Sequence, residues 1–333
     1  MATQFDTLED PAVLTMYARD LVLALAETDG LAQWAPVSFI EDVVFSIESL
    51  VNLGIPVAEL RSYDAAGKIL DRQFAHSVKT MGIAPITGSI VMNEYDRLRL
   101  RANSDNLLIQ QAYNDLDSAV RAVWQRIRLL TGEAMSMGKL TIAEGGVSDV
   151  IDFGDNASRK ATAGTSWTDT TNATAWTDHA DVCAAYEDLN GFAPAVAYAS
   201  TATIRLFQKN AEVQGNTAPV NTARIMSIGE VNNVLEADAL CPFVPFNEKV
   251  NSDLVFPADS VIYMPPGNLE APSARRVFGI SSAVGTAVDL QGTGEAGIAA
   301  YEAVSTDPVQ IKTVADALFM PAVVPNHFYN FTR

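Results

Sequence analysis

Gly292, Gly294 and Gly297 spell G-x-G-x-x-G, the spacing that lets a backbone approach a pyrophosphate in a dinucleotide fold. Apolar Val288 and Leu290 precede it, and Ile298, Ala299 and Ala300 follow. Only 36 residues come after Gly297, too few for the remaining strands of such a domain, and those residues themselves read as strands. A surface loop is expected there. His76, His179 and His327 are spread along the chain and match no metal or nucleophile template, and no G-x-S-x-G elbow is present for a catalytic serine. Cys183 and Cys241 are too few for a disulfide framework and match no metal spacing, so two buried thiols are expected. No catalytic, cofactor-binding or metal residue is assigned, and no enzymatic activity is expected. Arg97, Arg99 and Arg101 alternate, either as a solvated strand edge or as a row that meets an acidic surface on another subunit. Asn156, Asn172 and Asn330 fit the N-glycosylation pattern, which matters only in a secreted protein.

The elements that must position these residues are bounded by composition. A chain of 333 residues with 48% apolar residues buries a large core, divided into two lobes. Its formal charge of −18 excludes tight, sequence-independent nucleic-acid binding, which is driven by Lys and Arg contacts to phosphate. The first ten residues carry Asp6, Glu9 and Asp10 rather than a basic segment ahead of an apolar core, so no signal peptide is expected. No apolar run reaches the roughly 18 residues that span a bilayer. The expectation is a protein that is cytosolic where it is made.

From Ser89 to Thr131 there is no Gly or Pro, although the chain carries 20 and 15 of them. Within that window Leu108, Ala112, Leu116, Ala119, Val120, Val123, Trp124, Ile127 and Leu130 recur at intervals of three and four, the period of one helical face. Asn103, Ser104 and Asp105 offer a start, and Gly138 is a better stop than Gly132. A helix from Ser104 to Met137 would be about 50 Å long and would act as a strut. Upstream, residues 11–27 read as an amphipathic helix after Pro11, and residues 39–52 as an extended arm with local helix. Residues 61–98 read as a sparse two-stranded hairpin with its tip at 77–85, which needs something to lie on. Downstream, Lys139–Glu144 and Val147–Phe153 flank Gly145 and Gly146 as a tight hairpin. Residues 154–178 form a long loop anchored by Trp167 and Trp176, and Asp178 is a candidate cap for a helix at 179–189. Short strands and helices follow from Pro194. The strand-like end, 309–331, is confined to edges or bends by Pro321 and Pro325.

Three stretches carry a family resemblance. Gly138 to Ile142, with Gly145, Gly146 and Val150 to Gly154, is similar to the strand pair that follows the spine helix of tailed-phage major capsid proteins. Gly164-Thr165-Ser166-Trp167-Thr168-Asp169 is similar to a Gly-Thr-x-Trp loop in that family, and Val261 to Gly267 to a strand and turn of its axial lobe. With the order of elements, the chain resembles the lambda-like major capsid protein family. The resemblance implies an α+β, Hong Kong 97-like phage capsid fold. Its parts would be an N-terminal arm (1–60), an extended loop hairpin (61–102), a peripheral domain (103–190 plus 300–333, with the spine helix at 104–137) and an axial domain (191–299).

That family builds icosahedral head shells from hexamers and pentamers around double-stranded DNA, with extended loops overlapping neighbours. The resemblance therefore implies self-assembly in the host bacterial cytoplasm into a virion capsid, without cofactors and without a membrane. The implied partners are the chain itself, a portal, a decoration protein and weak, non-specific contact with packaged DNA. About 60 residues precede the hairpin, which leaves no room for a fused scaffold and implies a separate scaffolding protein. Intersubunit contacts would fall on Arg97, Arg99, Arg101, Lys68, Lys79, Phe74 and Met81. Some relatives crosslink a Lys of the extended loop to an Asn of the peripheral domain, for which Lys68, Lys79, Asn326 and Asn330 are available. The alternatives are a related encapsulating compartment or a cytosolic nucleotide-binding α/β enzyme.

Overall fold

The Gly- and Pro-free window builds one long helix, a helix of eight residues ahead of it, and the end of a strand. The computed structural model describes residues 10–42, 44–50, 76–82, 84–101, 105–144, 147–217, 225–267, 269, 272–281, 296–306 and 309–333. In chain order come α1 (Pro11–Thr28), β1 (Val37–Phe39), β2 (Val44–Leu50), β3 (His76–Gly82), β4 (Ala84–Met92), α2 (Glu94–Arg101) and α3 (Asp105–Met137). Next are β5 (Lys139–Glu144), β6 (Val147–Asp152), β7 (Lys160–Thr162), α4 (Ala175–Asn190), β8 (Val196–Ala199), α5 (Thr201–Lys209), α6 (Ala211–Thr217) and α7 (Ile228–Ala237). The remainder is β9 (Phe243–Pro245), β10 (Lys249–Val250), β11 (Asp253–Leu254), β12 (Ser260–Met264), β13 (Ala274–Phe278), β14 (Ile298–Thr306), β15 (Val309–Val323) and β16 (Tyr329–Thr332).

All nine apolar residues that set the period of α3 are buried, and they lie against α1, β4 and β15. The helix runs through Gly132 and stops at Gly138, whose φ of +69° suits glycine and whose N–H donates to the Ala134 carbonyl at 2.9 Å. Fully buried Arg159 takes up a free carbonyl of the last turn, donating to Ser136 at 3.1 Å, and ties it to the C-terminal segment by donating to the Phe328 carbonyl at 2.6 Å.

Gly132 is kept by packing. A Cβ there would lie 2.3 Å from the Val255 carbonyl oxygen. Gly132→Ala gains about 1 kcal/mol of helix propensity yet forces the backbone of Val255 away, and overpacking of this kind costs about 1–3 kcal/mol. The midpoint of urea unfolding should therefore fall in Gly132→Ala and fall further in Gly132→Val. A raised midpoint in Gly132→Ala would show that the contact is not rigid.

Two five-stranded sheets carry the rest. In the first, β1, β13, β15 and β14 are joined in that order and β4 also pairs with β15. Strands β13 and β14 lie end to end along β15, with Phe278 opposite Phe319 and Ile298 opposite Ala317. An Ile280–Ala296 bridge joins the residues just after β13 to those just before β14. Pro321 lies inside β15, opposite Arg276 and past the end of β4, whose last partner is Phe319. That side of β15 carries no further strand among the described residues, so the missing N–H costs nothing there. The second sheet has the order β7, β16, β12, β8, β9. It draws β7 and β16 from segments assigned to the peripheral domain and β8, β9 and β12 from the axial one.

Two cores result. The larger one holds α1, α3 and the first sheet, and the other holds α4 to α7 around the second sheet. Trp167 anchors the latter, with Phe207 and Phe331 ring centroids each 5.4 Å away and its Nε1–H donating to Asp178 at 2.9 Å. Asp178 is thus not the cap of α4, which begins earlier, after Thr174. The helix expected at residues 11–27 is present as α1 and packs into the larger core, with Leu14 and Ala18 buried and the Thr15 hydroxyl donating to the Ala300 carbonyl at 3.0 Å.

Two local expectations are overturned. Residues 44–50 form a strand, not a local helix, and pair antiparallel with residues 76–82, Val44 opposite Gly82 and Leu50 opposite His76. The span 77–85 is therefore the returning limb and the start of β4, not a hairpin tip. Gly82, Pro85 and Gly88 look like turn residues, but Pro85 and Gly88 sit within β4, which among the described residues pairs only with β15 and tolerates a proline as an edge strand.

Candidate assembly surface

The β2–β3 ribbon is a sheet of its own, joined by hydrogen bonds to no third strand among the described residues. Seven paired positions in two strands are marginal in water without a surface to lie on. Lys79 and Met81 are on this ribbon, opposite Ile47 and Phe45. Lys68 and Phe74 lie outside the described residues, as does the whole span that links the two limbs.

Arg97, Arg99 and Arg101 are on a helix, not a strand edge. Asn93 starts it, its side chain accepting from the Asp96 N–H at 2.9 Å, and Glu94 and Asp96 place negative charge in the first turn. The helical period splits the row: Arg97 and Arg101 are one turn apart, while Arg99 is on another side. Helix α2 leaves Tyr95 71% and Leu98 61% exposed, which is unusual for large apolar side chains in one short helix. Beside it a cleft of about 420 Å³ is lined by Ile90, Val91, Met92, Asp96, Arg99, Gln111 and Asp115. Burial first, and Asp96 nearby, push the Asp115 carboxyl above its usual range, against the Gln111 amide that donates to it at 2.7 Å. Exposed aromatic, aliphatic, cationic and acidic groups side by side suit contact with another protein surface.

The chemistry-bearing residues do not converge on this surface. Gly297 leads into β14 rather than a helix, so the glycine pattern has no helix N-terminus to offer a phosphate. Gly292 and Gly294, like His76's side chain, lie outside the described atoms. His327 Nδ1 is 2.9 Å from the Ser273 hydroxyl, but Ser273 is buried and no carboxylate bonds that histidine among the described residues. Asn330 is buried, its amide donating to the Ser136 carbonyl at 3.0 Å, so it is not open to a crosslink. His179, Cys183 and Cys241 do come together, inside the second core. Sequence reasoning weighed the two cysteines together but apart from the histidines, although His179 and Cys183 are one helical turn apart.

No protein-family model matches the sequence, and no curated protein matches it. Solved structures do match, over nearly the whole chain. A protein described as the capsid protein of an Escherichia coli prophage aligns with a TM-score of 0.57 at 11% identity, covering 96% of this chain and 98% of its own. A phage-related protein of Bordetella bronchiseptica aligns with a TM-score of 0.52 at 13% identity, covering 98% and 97%. Such identities carry the fold across the full length rather than a shared site. The order of elements, the long helix after an unsupported ribbon and this end-to-end alignment show that the chain has the α+β phage capsid fold.

Proposed function

We propose that this chain is a non-enzymatic shell protein that self-assembles into the hexamers and pentamers of an icosahedral phage head around double-stranded DNA. The observation that carries this is the β2–β3 ribbon, which has no third strand among the described residues, within a fold shared end to end with a prophage capsid protein. A second copy supplies what the ribbon lacks. The exposed Tyr95 and Leu98 of α2 supply a further contact between copies, and the positions of Arg97 and Arg101, one turn apart on the same helix, suit acidic groups of a neighbour. A net charge of −18 fits an inner wall that lets DNA pack without binding it tightly. A separate scaffolding protein, a portal and a decoration protein are the partners such a shell would take. No helix among the described residues is long and apolar enough to cross a membrane, so a place in a shell asks nothing of a bilayer.

Electron microscopy and sedimentation of the purified protein test the proposal. Closed shells or capsomer rings are expected. A chain that stays monomeric across concentration, salt and crowding would overturn it. DNA inside shells recovered from infected cells is expected for a phage head, and enzyme cargo in its place would reassign the chain to an encapsulating compartment.

A further inference from the structure

We propose that His179, Cys183 and Cys241 form a binding site for a thiophilic divalent cation of the zinc class. His179 and Cys183 lie at i and i+4 of α4 and so share one face, and Cys241 comes from the connection between α7 and β9. Their donor atoms all lie within 4.8 Å of one another. The two Sγ atoms are 3.7 Å apart, and Cys241 Sγ is 3.9 Å from His179 Nε2. A tetrahedral centre with bonds of about 2.3 Å to sulfur and about 2.0–2.1 Å to nitrogen sets two sulfurs about 3.7–3.8 Å apart and a sulfur and a nitrogen about 3.5 Å apart. Two edges of the site are thus within a few tenths of an ångström of the bound geometry. Only the Cys183–His179 edge has to close further.

The surroundings supply the rest of a soft-metal site. The main-chain oxygen of Cys241, 3.0 Å from Nε2, is placed to complete a set of four donors. Tyr263 holds the imidazole from the other side, its hydroxyl 2.8 Å from Nδ1, the partner that fixes ring orientation in histidine-ligated centres. Phe207 and Phe243 flank the ring, with centroids 5.9 Å and 4.6 Å away, and keep the site dry. On binding, the proton on Nε2 is replaced by one on Nδ1, which the Tyr263 oxygen accepts. The two thiols each release one proton to solvent, and two thiolates balance the charge of the ion, as burial of all three ligands requires. Nothing is oxidised or reduced. The ion would tie α4 to the α7–β9 connection and, through Tyr263, to β12.

Cobalt(II) titration of the full-length protein, purified with chelator, tests the site independently of whether shells form. The expected result is one ion per chain, with thiolate-to-cobalt charge-transfer and tetrahedral d–d bands that zinc abolishes. Zinc should raise Tm in the wild type and leave it unchanged in Cys183→Ala, which keeps a small apolar group in the core. Two outcomes overturn the proposal: no bound ion with both thiols free to alkylate after unfolding, or a metal-free chain two hydrogens lighter in mass, which is a disulfide. The wild-type spectrum decides even where the variant does not fold.

Discussion

Excising Val44 to Gly82 and joining Val43 to Ile83 is expected to leave a folded subunit that forms no shells. Val44 and Gly82 are directly opposite each other in the ribbon, so the cut ends are already neighbours and the join spans little distance. The described core residues all come from outside the ribbon, so its loss removes no described core packing. What it removes is a two-stranded element that no third strand among the described residues supports. Circular dichroism should retain the helical signal and a cooperative unfolding transition. Sedimentation should show assembly falling from shells or capsomers to a single small species. Shells of normal size from the excised chain would remove the ribbon from the assembly surface, and an unfolded product would show that the ribbon packs on its own subunit.

A strand whose partner lies far along the chain leaves little local signal in the sequence, and the β2–β3 ribbon is the example. Helix α3 was legible because its period is local: each buried residue has a partner three or four positions away, and Gly138 marks its end. The β5–β6 hairpin was legible for the same reason, with two glycines between two short strands. Strand β2 was not, although Phe45 and Ile47 alternate with Ser46 and Glu48, because its partner lies beyond residues 51–75 and nothing nearby names it. The glycines and proline around residues 82–88 then drew the turn to the wrong place. Helix α2 shows the opposite failure. Its arginines match a period of two by chance, while the informative residues were Asn93, Glu94 and Asp96 at its start.

Sites assembled over long sequence separations were legible only in fragments. The histidine–thiol cluster joins positions 58 and 62 residues apart, and only its His179–Cys183 half has a local spacing. The same holds for charge. Asp29 and Arg276 are 247 residues apart, and no pattern in the sequence pairs them. Conversely, of the residues that looked chemical, Gly297 leads into β14, His179 belongs to a core and His76 to a strand.

The Asp29–Arg276 pair carries the largest single-residue effect expected in the fold. Arg276 on β13 is fully buried, stacked 5.0 Å over the Trp124 ring, and bonded to Asp29 at the end of α1. Asp29 also accepts from Arg128 Nε of α3 at 3.1 Å, and Arg128 in turn bonds Glu248. One carboxylate, 1% exposed, thus compensates a guanidinium that has left water entirely and links α1, α3 and the first sheet. Burial lowers the Arg276 pKa and Asp29 holds it up, which is the signature of a charge that depends on its partner. A carboxylate at a helix C-terminus is opposed by the helix dipole, so Asp29 is not there for the helix. Removing one member of a buried pair strands the other, a loss of about 3–5 kcal/mol. Asp29→Ala should therefore lose about that much in urea unfolding, enough to deplete the folded state of a subunit with ordinary marginal stability. The double variant Asp29→Ala with Arg276→Met should recover a large part, because the stranded charge is gone and methionine can still cover Trp124. The ribbon-excised chain is the right background, since there unfolding is not coupled to assembly. Strictly additive losses in the two single variants and the double would mean that Asp29 does not hold Arg276 in the core.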